Sequence, residues 1–285
     1  MGIFVYSYAM MMQDIEWLRR KYESRLKVRL AGRSVLGREI PELIVGGEEG
    51  PQGRTDDTLR HVLIHAGMHG REYLNCALVM RQTEDFLKEK AGYGKVCFHV
   101  LPMVNPDGVE ICQRHDALWK ANGRGVDLNR NFDAGWETYR GQKEPGGIGY
   151  KGERPGSEPE VQVILDIEKK HSIAACISYH STGSIIYWDY GCTGKLKKAE
   201  ERLAGVLAEV TGYQIRSTVK RRADEAGCSD YFVQKCGIPA VTIETGRGKC
   251  PLEETEFGRI YEENRRVWEK TALFVREADA EAAAK

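Results

Sequence analysis

Ile64-His65-Ala66-Gly67-Met68-His69-Gly70-Arg71-Glu72-Tyr73 closes a short apolar strand, turns on small residues and opens a helix. His69 and Glu72 stand three positions apart. At a helix start, that spacing sets both side chains on one face, one turn apart. A neutral imidazole and a carboxylate so placed can share one metal ion. They can equally be an ordinary surface pair, because His-x-x-Glu arises by chance. What decides between the two is the rest of the chain.

On either side of this stretch the pattern is strand, helix, strand. His61–His65 is a short apolar strand, a helix runs from Arg71 to about Lys90, and Val96–Met103 is a second apolar strand. This predicts a βαβ unit and an at least partly parallel sheet. Asn105-Pro106-Asp107-Gly108 reads as a turn at that strand's end. Ligands of open α/β sheets gather at the carboxyl ends of strands. Upstream, Asp14–Tyr22 has helical periodicity, and Leu26–Leu30 and Ile40–Val45 read as strands, with Pro41 placing the second at an edge. Downstream, residues 141–156 hold eight Gly or Pro in sixteen positions and are a loop. Ser157 with Glu160 predicts a capping box for a helix to about Lys170. Strands follow at Ile173–Tyr179, Ile185–Trp188 and Ile238–Glu244, with helices over Leu196–Val210, Ser229–Lys235 and Tyr261–Arg276. The expected fold is α/β: a single domain, 1–277, with a central mixed, mostly parallel twisted β-sheet and helices on both faces. A frayed tail is expected over 278–285.

The chain has 285 residues and a formal charge of zero. Nothing in that balance predicts a nucleic-acid surface or a basic membrane patch. Eight cysteines are scattered without a Cys-x-x-Cys pair, as buried free thiols are. Met1–Met12 has no basic leading segment and is not read as a signal peptide. No apolar run approaches the roughly 20 residues of a spanning helix. A reducing cytoplasm is the expected home, and the oligomeric state is left open.

Three apolar strands lead to ionisable groups: His69 just after one, His180 after another and Glu244 at a third. Parallel neighbours would bring these ends together. His69, Glu72 and His180 then form a two-His, one-Glu set with a fourth position left for water, the layout of a catalytic zinc site.

Five motifs now stand in order: His69-Gly-Arg-Glu72, Asn105-Pro-Asp-Gly, Gly125-Val-Asp-Leu-Asn-Arg-Asn-Phe132, Ser178-Tyr-His180-Ser and Thr242-Ile-Glu244. Together they resemble the zinc carboxypeptidase family, typified by carboxypeptidase A. The resemblance implies one Zn2+ per chain held by His69, Glu72 and His180. It implies Glu244 as general base, Asn129 and Arg130 as the grip on a substrate carboxylate, and Arg71 as a second substrate-facing arginine. The bland alternative for Arg130 is an ion pair with Asp127 or Asp133. The chain departs from the family at three places. The family's carbonyl-polarising arginine is matched by Lys120, with Arg124 nearby. Its mobile tyrosine is matched by Arg222, within the basic run Lys220-Arg221-Arg222. Its specificity-setting residue is matched by Ser229.

In detail, the Trp119–Arg130 segment, Tyr187-Trp188 and Glu244-Thr-Gly-Arg-Gly resemble the bacterial γ-D-glutamyl-L-diamino acid endopeptidases. That resemblance implies a peptide or peptidoglycan-fragment substrate, cut at a γ-D-glutamyl bond by metal-activated water. Alternatives are a general carboxypeptidase on α-linked peptides, a zinc deacylase of N-acyl amino acids, and an inactive zinc-holding peptide-binding module. His61, His65, His99, His115 and His171 read as packed or supporting histidines, and Cys228 and Cys250 as packing residues. The Trp and Tyr residues of 187–190 either line a pocket or pack.

Overall fold

The computed structural model describes residues 5–47, 59–89, 94–146, 148–219 and 226–283. One sheet of eight strands runs through it: β1 (Leu26–Arg33), β2 (Glu39–Gly46), β3 (Arg60–His65), β4 (Val96–Leu101), β5 (Ile173–Ser181), β6 (Ile185–Trp188), β7 (Gln214–Ser217) and β8 (Ala240–Thr245). Their spatial order is β1-β2-β4-β3-β5-β8-β6-β7. The central four, β4, β3, β5 and β8, are parallel. Antiparallel pairings lie on either side, β2 against β4 and β6 against β8.

Side chains alternate across these strands, and both faces are buried. Val62, Ile64, Phe98 and Val100 pack with one set of helices, against residues such as Leu78, Val79, Phe86 and Trp268. Those residues lie on α2 (Leu74–Lys88) and α8 (Val267–Ala283). Leu63 and Leu101 face the other way, against Val161, Ile164 and Ile167 of α4 (Pro159–Lys170). A sheet covered on both faces needs near-continuous apolar strands, and β3 and β4 supply them.

Four expectations change. The edge strand is β1, not β2. Pro41 is tolerated because pairing with β4 begins only at Leu43, and Pro41 faces Leu30 beside an irregularity in the β1 ladder. The predicted turn at Asn105–Gly108 is the start of a helix, α3 (Pro106–Arg114). Asn105 caps it by accepting from the Gly108 amide at 2.8 Å, with Pro106 in the first turn. The Ser157–Glu160 capping box does not form. Ser157 instead donates to Glu158 at 2.7 Å, while Glu160 accepts from the Val35 amide at 3.0 Å. The last predicted helix is two, α7 (Phe257–Asn264) and α8. Of the tail expected over 278–285, the backbone is helical to residue 283, and the remainder lies outside the described residues. No helix among the described residues is long and apolar enough to cross a membrane.

Candidate metal and catalytic centre

The chain leaves β3 at His65 and crosses the sheet's carboxyl end through Ala66–His69. Gly70 then packs directly on the backbone of Gly108, where a Cβ would collide. Only glycine allows that approach, and it locks the His-Gly-Arg-Glu stretch to the cap of α3. The Gly70 amide also donates to the Lys120 carbonyl at 3.1 Å. Glu72 lies in a single 3₁₀ turn, Gly70–Glu72, just before α2, and not inside the helix proper. His69 precedes that turn in extended backbone. His180 comes from the end of β5, next to β3 in the sheet.

These three side chains meet. His69 Nδ1 is 2.8 Å from Glu72 Oε1, His180 Nδ1 is 2.9 Å from Glu72 Oε2, and the two Nδ1 atoms are 3.1 Å apart. All three residues are buried. Two imidazole nitrogens and both carboxylate oxygens therefore turn lone pairs towards one point, where a shared cation is the natural partner. The ring behind His69 is fixed as well: its Nε2 lies 3.2 Å from Asp127 Oδ1, so the N–H donates there and Nδ1 is left bare. The donor set fits zinc.

The surroundings hold the two carboxylates of the centre ionised. Burial alone would raise the Glu72 carboxyl, but His69 and His180 outweigh it and hold it well below the usual carboxylate range. Burial likewise opposes ionisation of Asp127, and Lys120 and His69 overcome it. Burial pushes the His180 imidazole down, against the pull of Glu72, favouring the neutral form that ligates metal.

A cavity of about 490 Å³ opens over the three residues. Arg71, Lys120, Asn129, Arg130 and Glu244 line it, so most of the residues singled out by sequence are brought together. Glu244 is the ladder partner of His180. Asn129 is braced by the Cys228 amide, which donates to its Oδ1 at 2.9 Å. The Arg130 guanidinium stands 5.3 Å over the Tyr139 ring. Arg124 is more than half exposed and aims at Glu158, 3.8 Å away; it is not part of the cavity wall. Ser229 is buried behind the wall, 2.9 Å from the Thr242 hydroxyl. Arg222 and the 220–222 run lie outside the described residues.

Sequence reasoning missed Asp127 except as an ion-pair partner for Arg130. Its carboxylate accepts from His69 and from Lys120 Nζ at 2.9 Å, and its Oδ1 accepts from the Asn129 amide at 3.2 Å. It thus ties a metal-ligand candidate to both substrate-side segments. Asp230 and Gln234 were also missed, and they line the cavity with Tyr187 and Tyr190. Their only signal was their closeness to Ser229 in the chain.

A profile of the family described as zinc carboxypeptidase matches residues 11–267. The chain belongs to that family, whose members are zinc-dependent hydrolases. Among individual relatives, Gamma-D-glutamyl-L-diamino acid endopeptidase 1 of Lysinibacillus sphaericus is 29% identical over 293 residues, covering 90% of this chain and 70% of that one. Mast cell carboxypeptidase A of Mus musculus is 30% identical over 176 residues, 56% of this chain and 42% of its own. Bovine thrombin-activatable fibrinolysis inhibitor superposes with a TM-score of 0.84 at 21% identity, covering 96% of this chain and 98% of that one. The murein-tripeptide amidase MpaA from Escherichia coli O157 does so at 0.59 and 21%, covering 90% and 95%. Those two superpositions show a common fold.

Proposed function

We propose that this protein is a zinc peptidase that hydrolyses the γ-D-glutamyl bond to a diamino acid in peptidoglycan stem peptides, acting on wall fragments in the cytoplasm. The observation that carries it is the mixed charge of the cavity. Arg71 and Arg130 share its wall with Asp230 and Glu244. A diamino acid presents both carboxylates and an ammonium, so a wall carrying both signs suits it better than an apolar or single-sign slot. The similarity to the Lysinibacillus endopeptidase supports the same substrate class. Eight free thiols suit a reducing compartment.

His69, Glu72 and His180 would hold the zinc, which supplies Lewis acidity and lowers the pKa of its water towards about 7. Arg130 reads the substrate carboxylate through a two-pronged guanidinium, with Asn129 beside it. Glu244 takes a proton from the attacking water and returns it to the leaving amine. Lys120, which lines the cavity and is held by Asp127, would offer its ammonium to the scissile carbonyl oxygen.

The test is mass spectrometry of products from L-Ala-γ-D-Glu-meso-diaminopimelate beside an α-linked peptide, with Glu244→Gln as the blank. Cleavage of the γ-bond alone is expected. Trimming of the α-linked peptide alone would replace this reading with a general carboxypeptidase. Absence of product from both would move it to the deacylase or the binding module.

A further inference from the structure

A second group of metal-ligating side chains lies at the opposite ends of the same strands. His61, near the start of β3, is the ladder partner of Cys97 on β4. His99 follows Cys97 by two residues, so all three share the face covered by α4. His171, just past the end of α4, closes over them. Three of the chain's seven histidines are thus gathered towards the amino end of β3, with His61 about 13 Å along the strand from His65 and His99 level with Leu63.

The contacts are those of a prepared donor set. His61 Nδ1 is 2.8 Å from His99 Nε2, and Cys97 Sγ is 3.9 Å from the same nitrogen. The His171 ring lies 4.2 Å from His99 and 5.0 Å from His61, centroid to centroid. His99 Nδ1 is 2.6 Å from Glu42 Oε1, and Glu42 is fully buried and also paired with Arg29. A carboxylate that takes the Nδ1 proton fixes the tautomer and leaves the Nε2 lone pair facing His61 and Cys97. Ligating histidines are oriented in this way by an outer carboxylate. A plain hydrogen-bonded relay, His61 to His99 to Glu42, accounts for part of this. It gives no task to the Cys97 sulfur. It also leaves His171 Nε2, which is buried and has no hydrogen-bond partner among the described residues.

We propose that Cys97, His99 and His61, whose donor atoms lie within 4.8 Å of one another, bind a second zinc ion in a closed structural site, with His171, which lies nearer Glu42 and His99, turning in to complete it. Three imidazoles and one thiolate fill a tetrahedral shell with no place for water. On binding, the His61–His99 hydrogen bond opens and His61 remains neutral but changes tautomer: the proton leaves Nδ1 for solvent and one is taken up at Nε2, which frees the Nδ1 lone pair. The Cys97 thiol releases its proton to solvent, and sulfur and three nitrogens each donate a lone pair. The ion would tie the α4–β5 connection to β3 and β4.

The site is independent of the substrate reading, and sulfur separates it from the catalytic centre, whose donors are nitrogen and oxygen. The whole protein would be stripped by a chelator, reloaded with Zn2+ or Co2+, and its metal counted. We expect about two ions per chain and a cobalt–thiolate charge-transfer band. Cys97→Ser should lose the band and one ion. His180→Ala should keep the band and lose the other ion. His61→Ala, at a partly exposed position, should repeat the Cys97→Ser result should that variant fold poorly. About one ion per chain with no band would overturn the proposal, as would a band that survives Cys97→Ser.

Discussion

His180 on β5 and Glu244 on β8 are direct partners across a parallel ladder. The third metal-ligand candidate and the candidate base are thereby held side by side by main-chain hydrogen bonding, with no help from a loop. Glu244→Gln keeps the shape and the ladder while removing the proton acceptor. The variant should bind a normal complement of zinc and lose hydrolysis by roughly 10² to 10⁴-fold. Full turnover by the zinc-loaded variant would remove Glu244 from the base role.

His180→Ala takes one of three donors from a buried centre and leaves Glu72 with a single imidazole partner. The ion of this centre should be lost, a drop of about one zinc per chain, read by elemental analysis after gel filtration. A zinc count equal to that of the unaltered chain would show that the three-residue set is wrong.

Asp127 spends one oxygen on His69 and the other on Lys120. Asp127→Asn keeps the size but removes the charge. Zinc affinity should fall by roughly 10 to 100-fold, the usual cost of losing a partner behind a ligand. A competition titration with a chromogenic chelator gives the number. Unchanged affinity would reduce Asp127 to a loop cap.

Lys120 and Arg124 are separated by their surroundings. Lys120 is partly buried at the cavity wall, and Arg124 is exposed beside Glu158. Lys120→Met should lower kcat by roughly 10² to 10³-fold, as loss of a donor to developing negative charge does. Arg124→Ala should leave turnover near normal and stability within about 0.5 kcal/mol. The reverse ranking in steady-state kinetics would transfer the role to Arg124.

Glu200 gives a pH signature away from the site. Burial raises its carboxyl from an ordinary 4.5 to about 8, although the amides of Ala240 and Asp189 both donate to it. The folded chain therefore keeps a proton that the unfolded chain releases. The stability this contributes is fully present below about pH 4.5 and is lost as pH rises through about 8. Glu200→Gln should flatten that part of the profile in urea unfolding series. An unchanged slope would mean that the two amides keep Glu200 ionised in the folded state.

Much of this site was legible because its residues sit at the ends of apolar runs. His180 and Glu244 close strands that any hydropathy pattern reveals, and parallel pairing does the rest. Asp127 was illegible because its value depends on His69, 58 residues away. Asn105-Pro106-Asp107-Gly108 has turn composition, yet Asn and Pro are also what a helix start prefers, and the apolar face of α3 decided for helix. Pro41 marked a local end of pairing, which sequence cannot distinguish from a sheet edge. The break between α7 and α8 carries no Gly or Pro. There Asn264 turns inward, donating to the Tyr213 hydroxyl at 3.0 Å and to the Ile260 carbonyl at 2.8 Å.

The alternation along β3 makes the length of that strand a specified quantity. His61, Leu63 and His65 face one way while Val62 and Ile64 face the other. Adding or removing one residue in it would either swing His61 out from beside Cys97 or carry His69 and Glu72 together away from His180. Natural variants of this chain should therefore differ in length around 141–156, where Gly and Pro absorb change, and hold β3 at its six residues. Two distant clusters, each built from its own neighbours, are kept in phase by a single count of residues between them.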